Sequence, residues 1–469
     1  MMNQLYGNIL LLTDSYNLSH TRLKINTDWE VSHIYNRKAG MILYGFREIV
    51  THLLSHRITK AHVEEAGKCA KMQGLTFPTE LFMRVVDECD GYVPLEVQSL
   101  PEGSWCPAGT PFAQIRNTKE GFGELVTWWE GVLLHAYFPS ACATEAFHMR
   151  RYLERKQQEH GYDDAFLWRF HSFGFRGHRS MEDAYWAGTA WNLSLQGTDD
   201  FHTTKHTPYA AIGSIAALAH KVTQQYDDEL ACFRHAIVST AQAGERIVAL
   251  VIDTYDAYRV INEYLPQLGQ LAREHGVRIV MRPDSGNVLE QAIAIYRVAE
   301  AGGLLDWVGV IIGEGMSFEQ AKRYDAKLEA EQIPLTFVAY GIGSGYYSHI
   351  ERDTLGWAMK TAYSNGKDRM KFSMEPLKRS IPGIVDLERD EAGELIVQAA
   401  EAMAEGGCYE TIYAFDGVGE PVLLPAGPEQ WMATRERMRE QTTAQSHIRL
   451  APAIQRKIAD ISKQYDVQG

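Results

Sequence analysis

The chain has 469 residues, 45% of them hydrophobic and 23% charged, a balance that excludes a mainly disordered, collagenous or coiled-coil protein. Its formal charge of -14 disfavours general nucleic-acid binding, which leaves a basic footprint, yet leaves room for a small anionic substrate held by local positive charge. The longest apolar runs, such as Ile9–Leu12 and Ile247–Ile252, are far short of the ~20 residues that span a bilayer, so no membrane segment is expected.

The N-terminus lacks a basic segment followed by a long apolar core, so no secretory signal is read. Six scattered cysteines without a C-x-x-C pair point away from a disulfide framework or structural zinc, and towards a reducing cytoplasm. The first 60 residues predict a capped helix start at Asp14-Ser15, a strand over Trp29–Tyr35 and a helix near Ile42–Leu54. Thr59 then reads as an N-cap. Val93–Thr118 predicts short strands broken by Pro-Glu-Gly and Pro-Ala-Gly turns. A long helical stretch from Glu124 to Gln158 follows, interrupted at Pro139. Phe166–Phe170 reads as a strand before Phe173-Gly174-Phe175-Arg176-Gly177, and the apolar Trp191–Leu195 precedes Gly197-Thr198-Asp199-Asp200.

From residue 247 the pattern becomes regular. Ile247–Ile252, Val277–Met281, Val308–Ile312 and Leu335–Tyr340 are apolar runs alternating with helical patterns at about 30-residue spacing, the size of one βα unit. Such runs imply a parallel sheet buried on both faces. Asp253, Arg282, Asp284, Glu314 and the loop Gly341–Gly345 each follow one of these strands. In a parallel barrel or sheet, that places them together on the face where active sites form. Glycines in the last loop let backbone N–H groups approach phosphate oxygens, although the Lys-Ser/Thr ending of a P-loop is absent. Between Glu351 and Ser380 lie Arg352, Lys360, Lys367, Arg369, Lys371, Lys378 and Arg379, an excess of three positive charges that suggests an anion site. His220, in an apolar stretch, reads on its own as a core histidine. No His-x-His or His/carboxylate spacing recommends a metal-dependent hydrolase.

Five motifs in order, Thr13-Asp14-Ser15-Tyr16, Phe173–Gly177, Gly197-Thr198-Asp199, Asp253-Thr254-Tyr255-Asp256 and Arg282-Pro283-Asp284-Ser285-Gly286, resemble the nicotinamide phosphoribosyltransferases from about residue 8 to 380. The resemblance implies an α/β fold: the irregular (β/α) barrel of type II phosphoribosyltransferases with an additional mostly β domain. Residues 1–150 would form an N-terminal α+β region of the β domain and dimer interface, 151–384 the catalytic barrel, and 385–469 a return to the β domain. It implies a homodimer with shared active sites that makes nicotinamide mononucleotide and pyrophosphate from nicotinamide and phosphoribosyl pyrophosphate, in NAD salvage. Mg²⁺ would be held mainly by the substrate pyrophosphate, and ATP would be a co-substrate.

By the same resemblance, Phe173 stacks one face of the nicotinamide ring and the partner subunit's Tyr16 the other, and Asp199 binds the carboxamide nitrogen. Arg176 and Arg282 hold the ring amide and the substrate phosphates. Asp284 and Glu314, beside Gly313, face the ribose. Gly343 and Ser344, with Arg352 and Lys360, take the 5′-phosphate; Arg37, Lys371, Lys378 and Arg379 serve the pyrophosphate end. His220 aligns with a histidine phosphorylated by ATP, and Asp253 with the acid that orients it, which reverses the core reading of His220. A carboxylate at Asp199 suits the amide of nicotinamide and repels nicotinate. The chain departs from the family at Glu314 (usually Asp), Ser344 (glycine), Ala358 (a phosphate-binding serine) and Ala219 (glutamate). These departures keep a larger donor open, such as ADP-ribose pyrophosphate giving NAD directly. The motifs also leave room for a nicotinate phosphoribosyltransferase, and for a non-catalytic binding homologue that retains the dimer.

Overall fold

Val, Ile and Leu at successive positions suit a strand covered on both faces, and the apolar runs after residue 247 become such strands. The structure is a computed structural model describing residues 7–23, 27–207, 212–373, 375, 378–403 and 407–465. The chain divides into two units, one of Glu145–His349 and one of Met1–Thr144 with Ile350–Gly469.

The first unit carries β1 (Phe170–Ser172), β2 (Gly197–Thr198), β3 (Ala216–Ala217), β4 (Ile247–Val251), β5 (Arg278–Arg282), β6 (Val308–Ile312) and β7 (Val338–Ile342). They form one sheet in the order β2-β1-β7-β6-β5-β4-β3, and every neighbouring pair is parallel. The sheet curls back on itself: Gly213, just before β3, bridges to Gly197 of β2, exchanging hydrogen bonds with Thr198 and Gln196 at 3.0 Å each. This is the irregular barrel that the family resemblance implies. Two elements differ from expectation. Asp164–Trp168 is a 3₁₀ turn and the strand begins only at Phe170; Leu335–Phe337 is likewise a 3₁₀ turn leading into β7. Apolar residues in a short turn are buried like strand residues, so the run alone does not separate the two.

A buried ion pair fixes this unit. Arg169 and Asp325 meet at 2.7 Å with side chains 4% and 1% exposed, and the hydroxyls of Tyr152 and Tyr340 each donate to the same carboxylate at 2.7 Å. All of the carboxylate's acceptor capacity is thereby used, the condition under which a buried charge is tolerated.

The second unit is built on a seven-stranded antiparallel sheet in the order Lys367–Asp368, Trp357–Ser364, Glu30–Asn36, Thr110–Asn117, Leu95–Ser99, Glu410–Ala414 and Val422–Leu423. Trp357–Ser364, read with the barrel in the sequence, lies in this sheet beside Glu30–Asn36. Val385–Arg389, Leu395–Ala399 and Arg449–Leu450 make a smaller sheet. Thr59 does cap Lys60–Met72, in a capping box completed by His62. Pro139 does not interrupt a helix: it sits in the first turn of Tyr137–His160, where a missing N–H costs nothing. Among the described residues, no helix is long and apolar enough to cross a membrane.

Candidate active site

In the barrel unit every strand ends, at its carboxyl end, beside a residue singled out by sequence. Phe173 follows β1, Asp199 follows β2, and His220 lies three residues after β3. Asp253 follows β4, Arg282 closes β5 with Asp284 after it, Gly313 and Glu314 follow β6, and Gly343 and Ser344 follow β7. Parallel strands bring all these ends to one face.

Phe173 is held by its N–H, which donates to the Ile342 carbonyl at 2.8 Å. Its ring rests on glycine backbone: a Cβ added at Gly341 would lie 2.0 Å from Phe173 Cε2, and one at Gly313 3.3 Å from it. Neither position tolerates a side chain without moving the ring. Asp199 is exposed, and the Ser214 hydroxyl donates to its Oδ1, leaving the other oxygen for an outside donor. Arg176 is exposed on the 3₁₀ turn Phe175–Gly177. That turn lies close to Ser344, whose Oγ would be 2.0 Å from a Cβ at Gly177.

His220 opens the short helix His220–Thr223. Its Nδ1 is 3.1 Å from Thr254 Oγ1, while Nε2 faces Asp284 Oδ2 at 3.5 Å and Asp253 Oδ1 at 3.8 Å. Asp253 is held by the Ser285 hydroxyl on one oxygen, and its Oδ1 is buried without a hydrogen-bond partner. Arg282 has a buried Nε likewise without a partner. An orphaned acid oxygen and an orphaned guanidinium N–H are costly unless a ligand completes them. Glu314 is exposed at the rim. Sequence reasoning missed the supporting residues Thr254, Ser214 and Ser285; only Thr254 and Ser285 lay inside the five motifs, and hydroxyls carry no charge pattern to reveal them.

The remaining candidates belong to the sheet unit. Tyr16 is 53% exposed, and burial of its hydroxyl, with Glu130 and Asp14 nearby, raises its pKa above the ordinary tyrosine value. Arg37 donates from Nε to the Gly356 carbonyl at 3.1 Å. Burial, and the proximity of Arg352, lower its pKa. Lys360 sits 3.9 Å from Glu130, and its pKa is lowered by burial and by the charges of Arg37, Lys371 and Arg352, although Glu130 opposes them. Glu130, Asp353 and Glu375 offset part of this positive charge. Lys360 and Lys371 line a cavity of about 670 Å³ with Asn17, His20, Glu30 and Glu130. Lys378 is engaged by Glu375 at 2.7 Å, and Arg379 donates to the Ser373 carbonyl at 3.2 Å. Neither appears among the residues lining that cavity.

Comparison with known proteins identifies the family. Residues 168–371 match the nicotinate phosphoribosyltransferase (NAPRTase) family, and residues 8–97 match the nicotinamide phosphoribosyltransferase N-terminal domain. The chain is 27% identical over 384 residues to the nicotinamide phosphoribosyltransferase of Xanthomonas campestris pv. campestris, covering 75% of this chain and 80% of that one. It is 30% identical over 350 residues to the nicotinamide phosphoribosyltransferase of Acinetobacter baylyi, covering 65% of this chain and 69% of the relative. The crystal structure of human nicotinic acid phosphoribosyltransferase shares the fold, with a TM-score of 0.62 at 18% identity over 96% of this chain and 99% of that one. The chain belongs to the nicotinamide phosphoribosyltransferase family.

Proposed function

We propose that the protein transfers the phosphoribosyl group of phosphoribosyl pyrophosphate to the ring nitrogen of nicotinamide, releasing pyrophosphate and nicotinamide mononucleotide for NAD salvage. The observation that carries this reading is the pairing of the Phe173 ring, seated on Gly341 and Gly313, with the available carboxylate of Asp199. A flat heterocycle stacks on the ring, and its amide N–H is accepted by the acid. Nicotinate would bring a second negative charge to the same carboxylate.

In the transfer, the bond from the anomeric carbon to pyrophosphate breaks as the nicotinamide nitrogen bonds to that carbon. No protein nucleophile is required. The barrel unit supplies position and charge: Arg282 meets phosphate oxygens, and Asp284 faces the sugar as positive charge develops on it. In the sheet unit, Arg37, Arg352, Lys360 and Lys371 are cations of the kind that bind phosphate. Asp253 and Asp284 are carboxylates suited to a Mg²⁺ ion that takes most of its oxygens from the substrate. When bound, Mg²⁺ would supply positive charge at the leaving pyrophosphate. His220, its side chain 38% exposed between Thr254 and two acids, accepts the γ-phosphoryl group of ATP with ADP leaving; water then cleaves the N–P bond to release phosphate and free the histidine, so that ATP hydrolysis is coupled to synthesis. The protein works as a homodimer in a reducing cytoplasm, to which its six free cysteines are suited.

The test is pyrophosphate release from phosphoribosyl pyrophosphate and Mg²⁺ with nicotinamide or nicotinate as acceptor. Release with nicotinamide, and at least tenfold less with nicotinate, is expected; equal or reversed preference would overturn the role given to Asp199.

A further inference from the structure

Asp200 follows Asp199 and precedes the 3₁₀ turn Phe201–His206. An aspartate in that position ordinarily caps the turn with its side chain. Here it makes no capping bond. The residue is 1% exposed, and its carboxylate turns towards the loop that follows β1. One oxygen accepts the Phe175 N–H at 2.9 Å, and the other accepts the Ser172 hydroxyl.

The backbone around it is tied just as firmly. The Asp200 N–H donates to Thr198 Oγ1 at 3.0 Å, and the Asp200 carbonyl accepts from the Thr203 N–H at 3.0 Å and the Thr203 hydroxyl at 2.8 Å. The Asp199 N–H donates to the Ser172 carbonyl at 2.9 Å. Gly188, on the helix Met181–Ser194, closes the far side: a Cβ there would stand 2.3 Å from Thr203 Cγ2 and 3.7 Å from Asp200 Oδ2. Two loops, one carrying Phe173 and the other Asp199, are thus joined by a buried carboxylate as well as by the Asp199–Ser172 backbone bond.

We propose that Asp200 is a positioning residue for nicotinamide, setting the height of the Phe173 ring against the Asp199 carboxylate. This rests on the reading of Phe173 and Asp199 as the nicotinamide contacts. Asp200 touches no substrate. It matters because the acceptor must stack and hydrogen-bond at once, and a displacement of about 1 Å forfeits one of the two. A carboxylate fits the role, since it accepts from two donors and its charge strengthens both bonds. A residue that merely stabilised the fold would affect both substrates alike.

The test compares Asp200→Ala, Asp200→Asn, Ser172→Ala and the double variant Ser172→Ala/Asp200→Ala by steady-state kinetics and thermal melting. Asp200→Ala should raise the nicotinamide KM about tenfold or more, the scale of a lost charge-assisted bond, with the donor KM within about twofold. Asp200→Asn should restore most of the affinity, because its amide oxygen accepts the Phe175 N–H and its NH₂ donates to Ser172 Oγ. Ser172→Ala should raise the nicotinamide KM about threefold, and the double variant should be no worse than Asp200→Ala alone. An equal rise in both KM values, or an Asn variant as impaired as the Ala variant, would overturn the proposal. If Asp200→Ala does not fold, Ser172→Ala decides, and an unchanged nicotinamide KM counts against it. Phe173→Ala and Asp199→Ala run in parallel: if these leave the nicotinamide KM unchanged, the site reading itself has failed, and if only the Asp200 series is silent, the positioning role alone has.

Discussion

Replacing Gly341 by alanine tests the stacking platform without touching any group that contacts substrate. Gly341 is not in the left-handed region, so alanine fits its backbone and the effect is steric. The new methyl would lie 2.0 Å from Phe173 Cε2 and 2.3 Å from Cδ2. Carbon atoms prefer about 3.5–4.0 Å, so the ring must retreat by about 1.5 Å or tilt. Stacking of a base on an aromatic side chain contributes about 1–3 kcal/mol, so losing it raises the nicotinamide KM about 5- to 150-fold. Overpacking costs about 1–3 kcal/mol of stability in addition, or several degrees of Tm for a unit of this size. The assay is initial rate against nicotinamide at saturating donor, with a melting curve for each variant. Gly341→Ala combined with Phe173→Ala should bind nicotinamide no worse than Phe173→Ala alone, because the clash has lost its partner. A Gly341→Ala enzyme with unchanged nicotinamide KM would refute the claim that this ring is the platform.

Further outcomes follow from other parts of the molecule. Asp199→Ser removes the charge that opposes nicotinate, and should shift the kcat/KM ratio towards nicotinate by about tenfold; an unchanged ratio would contradict the amide contact. His220→Ala should abolish stimulation by ATP while leaving basal transfer, measured as product formed with and without ATP; surviving stimulation would remove the phospho-histidine role. Glu102 is 3% exposed, and burial pushes its pKa up to about 7, although the Arg47 N–H donates to it at 2.9 Å. A carboxyl whose folded pKa is raised holds its proton longer when folded, so stability falls as pH climbs from about 4.5 to about 7. Glu102→Gln should flatten that slope, read by denaturant unfolding at pH 5 and 8; an unchanged slope would show that Glu102 does not titrate in this range.

The barrel was legible where the physics is local. Val308–Ile312 and the helix Val288–Ala301 stand where the apolar runs put them, because a doubly covered strand and an amphipathic helix each leave a periodic trace. The strand-end positions of Asp253, Arg282, Asp284 and Glu314 followed from the same pattern. Less was legible where partners are distant. Trp357–Ser364 has the composition of any strand, and only its pairing with Glu30–Asn36 assigns it to the antiparallel sheet. The two-residue strands Gly197–Thr198 and Ala216–Ala217 carry too few residues for a period. At the site, charged residues announced themselves, but Thr254, Ser214 and the inward-turned Asp200 did not. Asp200 in particular sits where an aspartate reads as a cap, and tertiary hydrogen bonds claimed its side chain instead.

The most direct measurement is the mass of the product in a competition. The protein, Mg²⁺, nicotinamide and nicotinate at equal concentration, and phosphoribosyl pyrophosphate and ADP-ribose pyrophosphate at equal concentration, allow four distinguishable products. Nicotinamide mononucleotide should dominate. NAD as the main product would mean that Glu314, Ser344 and Ala358 rebuild the donor site, nicotinate mononucleotide would contradict the reading of Asp199, and no product at all would contradict catalysis.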